Sequence, residues 1–413
     1  MLSLAHVPRP VAIDLAPVEA AAACAHLPGR VFFDTALEGG EPGQISLVAA
    51  RPAKIARGGT EEDWQHFQAA LESRRNAADC DAGLPGGFAA GWVEYDGAFC
   101  FGFYEDALIY RHAERQWYEI GNFASQLRPA APLAAAGAGP RFRAEMARED
   151  FLRRVARAQE YIAAGDIYQV NLAHRFSASW DGDAFAFYEA LRHYSPAPHG
   201  AFLQFDGRSV LSTSPESFLR MSGRAIRTRP IKGTRPRRAE ANADALSAYE
   251  LRNSAKETAE LVMITDLERN DLGAVCEYGS VTVQELLKLE SFEQVFHLVS
   301  TIEGRLREDV DQVEALRRCF PGGSITGAPK KRAREIIAEL EPAARGLYTG
   351  ALGWFGFNGE SHFNIAIRTV VLEDQVAHFH VGAGIVADSI PEKEWQETLD
   401  KAAGILMAAE RME

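Results

Sequence analysis

Cysteine is scarce in this chain. Five are present, Cys24, Cys80, Cys100, Cys276 and Cys319, and no two form a Cys-x-x-Cys pair. An odd, scattered set argues against a disulfide framework and a structural zinc site, and suits a reducing compartment. Long apolar runs are missing too: no stretch approaches the roughly 20 apolar residues that span a bilayer. The N-terminus meets proline early and holds no uninterrupted apolar run, so no signal peptide is expected. Positive charge is not in excess. Lys and Arg number 44 against 57 Asp and Glu, a formal net charge of −13. That balance fits a cytoplasmic protein and argues against nucleic acid or a membrane as the general partner. No internal repeat and no heptad run is found.

What is present is an ordinary globular balance. Of 413 residues, 47% are apolar and 24% charged, enough for a large core. Residues 1–127 mix short β-like runs, among them Val31-Phe32-Phe33 and Gly86 to Tyr95, with one helical segment from Glu61 to Ser73. Residues 128–142, rich in Ala, Pro and Gly, read as a linker. Residues 143–413 carry the strong patterns. The reading there predicts helices over Arg148–Ala164, Ser254–Leu272 and Lys330–Leu340, and one from Ser389 or Pro391 to about Met412. Ser254 with Glu257 three residues on reads as a capping box. Leu347–Phe357 and Phe363–Leu372 read as strands paired around Asn358-Gly359.

Three patterns carry candidate chemistry. First, Glu257 and Glu260 share one face of a predicted helix, as do Glu394 and Glu397, with Lys401 one turn beyond. Two such pairs facing each other hold a hard divalent cation, Mg²⁺ before Zn²⁺. No Glu-x-x-His partner exists, which argues against a di-iron site. The same spacing suits a solvated helix face, so the pattern leaves both readings open. Second, residues 224–238 hold seven cations and no acid. A basic anion- or nucleic-acid-binding loop is one reading. Against it, Thr228, Pro230, Ile231 and Gly233 break the segment into a short strand and a tight turn. Lys232, between Ile231 and Gly233, is placed where burial among arginines favours a neutral, nucleophilic amine. Third, Gly382-Ala383-Gly384 follows a predicted strand, Val376–Val381; it reads as a carboxylate cradle or as a plain tight turn. The segment Gly322–Lys330 fails the phosphate-loop pattern, because Ala328-Pro329 separates Gly327 from Lys330.

Taken together, YQVNLAHRF, SPESFL, PIKGTRPR, KETAELVMITDLERNDLG, PGGSITGAPKKRA, IAIRT and GAGIVADSIPEKEWQET resemble the chorismate-utilising enzymes. These are component I of anthranilate synthase and of aminodeoxychorismate synthase, isochorismate synthase and salicylate synthase. The resemblance covers about residues 143–410; the N-terminal region joins it loosely through GGFAAGWVEYD. It implies an α/β (α+β) fold, a sandwich of two mostly antiparallel sheets with helices outside and the active site in a cleft. It implies Mg²⁺ on Glu260 and Glu397, with Glu257 and Glu394 as nearby or water-mediated ligands. It further implies Glu216 as general acid toward the C4 hydroxyl. Gly233, Thr234, Tyr348, Arg368, Gly382, Gly384 and Lys401 match positions that hold carboxylates, and His297 one near the leaving group.

Two positions separate the branches of that family. Relatives that add water carry a lysine where this chain has Gln169, which weakens the isochorismate and salicylate readings. Anthranilate and isochorismate enzymes carry alanine where this chain has Lys232, and there it resembles aminodeoxychorismate synthase component I. The implied reaction is amination of chorismate to 4-amino-4-deoxychorismate, on the para-aminobenzoate and folate branch, through covalent catalysis by Lys232. No cysteine lies in a Gly-x-Cys-x-Gly elbow, so ammonia is expected from a separate glutamine amidotransferase subunit. Anthranilate synthase component I is the alternative within the family; a non-catalytic anion- or nucleic-acid-binding protein is the alternative outside it. Val31–Ala36 stands where tryptophan-regulated relatives carry a Leu-Leu-Glu-Ser type segment, which puts such feedback in doubt.

Overall fold

The computed structural model describes residues 7–37, 44–75, 83–129, 137–292 and 295–412. Cys80 and residues 130–136 of the expected linker lie outside them. Among the described residues the strands form two sheets, one of twelve strands and one of ten. Neighbouring strands pair antiparallel throughout, as in the central pair Gln169–Ser179 with Val376–Ile385. The chain before residue 128 feeds both sheets. Arg30–Asp34 and Ile45–Ala49 join the larger one, Phe88–Val93 and Phe99–Tyr104 the smaller.

Strand sequence explains the layering. In Phe88–Val93, Phe88, Ala90 and Trp92 enter a core that also contains Val31, Leu203 and Leu352, so it lies between the sheets. Ala89 and Val93 face the opposite way, into a core with Phe67, Phe355 and Leu316. In Arg30–Asp34, Val31 belongs to the inter-sheet core and Phe32 to an outer one with the Ala184–Tyr194 and Pro391–Glu410 helices. Strands covered on both faces read as continuous apolar runs, which is what Val31-Phe32-Phe33 is. Burying a side chain such as Phe88 contributes about 2–3 kcal/mol.

Two sequence expectations change. Phe363–Leu372 is not one strand: Glu360–Ile365 stays in the smaller sheet and Thr369–Glu373 in the larger. Between them Arg368 takes φ +48°, a left-handed kink that lets the chain cross from one sheet to the other. Gly382-Ala383-Gly384 is not a turn. It lies inside the Val376–Ile385 strand, where Gly382 pairs with Ala173 and Gly384 with Asn171. Helices over Ala184–Tyr194, Ala241–Arg252 and Gln312–Cys319 were not anticipated. No described helix is long and apolar enough to cross a membrane.

Candidate active site

A cavity of about 490 Å³ opens between the sheets' edges and the two carboxylate-bearing helices. The Ala255–Gly273 helix starts where the Ser254 hydroxyl accepts from the Glu257 amide at 3.4 Å. The expected reciprocal half of a capping box is absent, because the Glu257 carboxylate turns instead to Arg235 at 3.7 Å. The Pro391–Glu410 helix starts with proline in its first turn. Glu257 and Glu260 from the first helix and Glu397 and Lys401 from the second line the cavity. Glu394 does not; it is buried beside them.

Lys232 enters from the Ile231–Pro236 strand. The register against Val295–Arg305 slips between Lys232 and Thr234, and Gly233 at the slip takes φ +70°. A Cβ there would come within 2.6 Å of Leu251 and 3.2 Å of Glu257, so only glycine fits. The Lys232 ammonium lies 3.8 Å from Glu260, with the side chain 21% exposed. The basic segment forms no cationic stripe. Arg224, Arg229, Arg235 and Arg237 meet Glu277, Glu290, Glu257 and Asp244 respectively.

Glu216 follows a turn tied down by the Ser214 hydroxyl, which donates to the Ile365 carbonyl at 2.6 Å. Burial raises the Glu216 pKa despite the pull of Lys232 and Lys401. A carboxyl held toward its neutral form suits a proton donor. His297 is buried, with Nδ1 3.1 Å from the Thr234 hydroxyl, and burial lowers its pKa to about 4, so it stays neutral. Tyr348 stacks on His380 with centroids 5.2 Å apart. A Cβ on Gly382 would stand 2.8 Å from the Tyr348 hydroxyl, and one on Gly384 2.7 Å from the Gln169 amide nitrogen. At Gly382 the Leu172 carbonyl, 2.7 Å from such a Cβ, excludes a larger residue, whereas at Gly384 the Gln169 side chain would have to turn aside. Lys401 donates to the Gly382 carbonyl at 2.8 Å and pairs with Glu397 at 2.8 Å. Arg368 also lines the cavity, and burial alone lowers its pKa. It makes no ion pair among the described residues. A half-buried guanidinium that faces a cavity without an acid is suited to an anionic ligand.

Thirteen of the fourteen residues singled out from the sequence thus line one cavity, Glu394 being the exception. Lys256 was missed. It stands 3.8 Å from Glu260, and although burial acts to lower its pKa, Glu260, Glu394, Glu397 and Glu257 together raise it. The signal was its position four residues before Glu260. Asn171 and Ser324, which sit inside family motifs but were given no role, and His380, which lies in none, were also missed.

The fit of a divalent cation rests on the donor set. Among the described residues no three His, Cys, Asp or Glu groups stand in ready ligating geometry. The carboxylates are nevertheless all oxygen donors facing one another, and Glu260 Oε1 accepts no hydrogen bond although buried. Burial raises the Glu260 pKa, and Glu257 and Glu397 add to the rise against Lys232 and Lys256. Such crowded carboxylates suit a hard cation.

Residues 34–407 match the chorismate binding enzyme family. Anthranilate synthase component 1 of Geobacillus stearothermophilus is 41% identical over 316 residues, 75% of this chain and 62% of that one. Aminodeoxychorismate synthase component 1 of Bacillus subtilis is 44% identical over 272 residues, 66% and 58% of the two chains. This chain therefore spans less than two thirds of either relative. The crystal structure of anthranilate synthase component I from Streptococcus pneumoniae superposes with a TM-score of 0.79 at 30% identity, covering 90% of this chain and 94% of that one. With residues 34–407 matched, the chain belongs to the chorismate binding enzyme family.

Proposed function

We propose that this protein aminates chorismate to 4-amino-4-deoxychorismate. The observation that carries the reading is the Lys232 amine, inside the cavity and 3.8 Å from Glu260. The substrate is a dicarboxylate. Arg368, unpaired, and Lys401, beside Gly382 and Gly384, are the groups that receive its carboxylates.

In the proposed sequence Lys232, which rests against Glu260, gives up its proton and its amine attacks ring C2, the ring double bond shifts, and the C4 hydroxyl leaves. Glu216 gives that hydroxyl its proton, so it departs as water. Ammonia then adds at C4, the double bond shifts back, and the lysine amine is expelled. The enolpyruvyl group is untouched. The enzyme gains regiochemistry by this detour: direct addition of ammonia would place nitrogen at C2, whereas a tethered amine at C2 sends the second attack to C4. Glu260 and Glu397 are the residues that would hold Mg²⁺, with Glu257 and Glu394 behind them; when bound, the ion would offset the charge of the ring carboxylate. Gln169 lies beside Gly384 and offers no amine to activate water, which supports amination over hydration. Ammonia comes from a separate glutaminase subunit in this reading, consistent with relatives described as component 1.

Anthranilate synthesis is the second reading, favoured by the relatives that carry that name. Chorismate, Mg²⁺ and ammonium are incubated with the protein and the products separated. Aminodeoxychorismate supports the proposal; anthranilate with an equivalent of pyruvate rejects it. Salt-sensitive binding of DNA or RNA without turnover would point outside the family's chemistry altogether.

A further inference from the structure

Behind the cavity lies a buried arginine that touches none of its space yet holds three of its walls. Arg345 is 4% exposed. Its guanidinium grips Glu341 with two bonds, Nε to Oε2 at 2.8 Å and Nη2 to Oε1 at 2.7 Å. The remaining donors reach three separate segments. Nη2 donates to the Asn171 carbonyl at 2.8 Å, on the Gln169–Ser179 strand. Nη1 donates to the Ile325 carbonyl at 3.1 Å, in the short turn that also carries Ser324. Nη1 also reaches the Thr349 hydroxyl at 3.1 Å, which in turn donates to the Tyr348 carbonyl. Glu341 completes the joint by accepting from the Ala173 amide at 2.9 Å. The guanidinium carbon lies 4.7 Å from the Tyr95 ring centroid and 5.5 Å from that of Tyr348. Asn171, Ser324, Ile325 and Tyr348 are all cavity-lining residues.

From this convergence we infer that Arg345 is a positioning residue for the substrate site, setting Tyr348, Asn171 and the Ser324-Ile325 turn relative to one another. The inference rests on the cavity being where chorismate binds. The physical reason is the fork. A guanidinium projects donors in several fixed directions from one plane, so one residue can pin three chain segments at once; an ammonium places its three donors on a single atom and cannot span them. Thr349 takes φ +60°, a conformation that a threonine seldom adopts unaided, and the Arg345 contact is one of the bonds that holds it. An ion pair buried this deeply is weak evidence of net stabilisation, but losing one partner frees the segments it joins.

Two variants test this, Arg345→Lys and Thr349→Val, the second keeping the ion pair and the side-chain shape. A control, Phe67→Leu, lowers stability in the core beyond the smaller sheet. In the unliganded protein, amide hydrogen exchange at Asn171 and Tyr348 should quicken ~10-fold or more in Arg345→Lys relative to the control of matched melting temperature, with the Ala255–Gly273 helix unchanged. With chorismate, KM should rise ~10-fold in Arg345→Lys and about threefold in Thr349→Val, with kcat little altered. Exchange and KM that follow only the melting temperature, as in the control, overturn the inference. Faster exchange at those two amides in Arg345→Lys, with no chorismate turnover by the wild-type protein, would fault the proposed function and leave the positioning role standing.

Discussion

On the Ala255 helix, Glu260 faces Lys232 and Lys256 at 3.8 Å each; on the Pro391 helix, Glu397 faces Lys401 at 2.8 Å. Their first-turn neighbours differ as well. Glu257 reaches Arg235, while Glu394 is buried with Oε2 unpartnered. The two pairs have identical spacing and opposite electrostatics. Burial wins at Glu260, whose pKa rises. At Glu397 burial pushes the same way, but the direct Lys401 bond, with Lys232 and Lys256 beyond it, outweighs burial and the pKa falls. Periodicity places a carboxylate on a face; burial and the cation that reaches it decide which way its pKa moves.

The comparison can be broken most severely at Glu260. Glu260→Gln keeps the shape and removes the anion, and chorismate turnover should fall on the order of 10³-fold. Retained Mg²⁺-dependent turnover would discard the metal assignment. Next in size is Lys232→Ala, expected to cost roughly 10²- to 10³-fold in amination or to redirect the product; chromatography of the products decides which. Lys401→Met should make Glu397 resemble Glu260. The Mg²⁺ concentration for half-maximal activity should fall about tenfold, because the ammonium that competes for Glu397 is gone, and an unchanged requirement would mean the 2.8 Å pair is idle.

A smaller effect concerns stability and acid. Burial lowers His174 and His297 to about 4 and His380 to about 3. The unfolded chain, with ordinary imidazoles near 6.5, binds these protons first. The contribution of the neutral imidazoles is therefore fully present above about pH 6.5 and is lost as the pH falls toward 4. Melting temperature recorded across that window should drop with acid, and a flat profile would contradict the burial of the three rings. Smallest of all, Glu394→Gln should change the Mg²⁺ requirement only a few-fold, because Glu394 does not line the cavity; a loss as large as that of Glu260→Gln would erase the distinction drawn between the helices.

Much of the site was legible in linear order. Ser254 and Gly273 bound a helix, proline at 391 opens another, and Lys232 before Gly233 signals a close backbone approach. These are local rules, and local bonds enforce them. The misreadings arose where distant chain intervened. Phe363–Leu372 is mostly apolar, yet it breaks at Arg368 because the two halves belong to different sheets. The glycines at 382 and 384 look like a turn, yet they are small to make room for Tyr348 and Gln169. Lys256 opens a family motif without a role of its own there and Arg345 lies in none, and their roles depend on carboxylates and carbonyls up to 174 residues away in sequence.

Residue order alone determined which faces are apolar, where helices start, and which acids and amines are available, since these depend on spacing and on neighbours within a turn or two. Only the tertiary structure decided which way each carboxylate's pKa moves, which arginine lacks an acid among the described residues, and which glycines stand against a side chain. Charge and contact in a cleft depend on burial and on what the opposite wall supplies, and no window of sequence contains that wall.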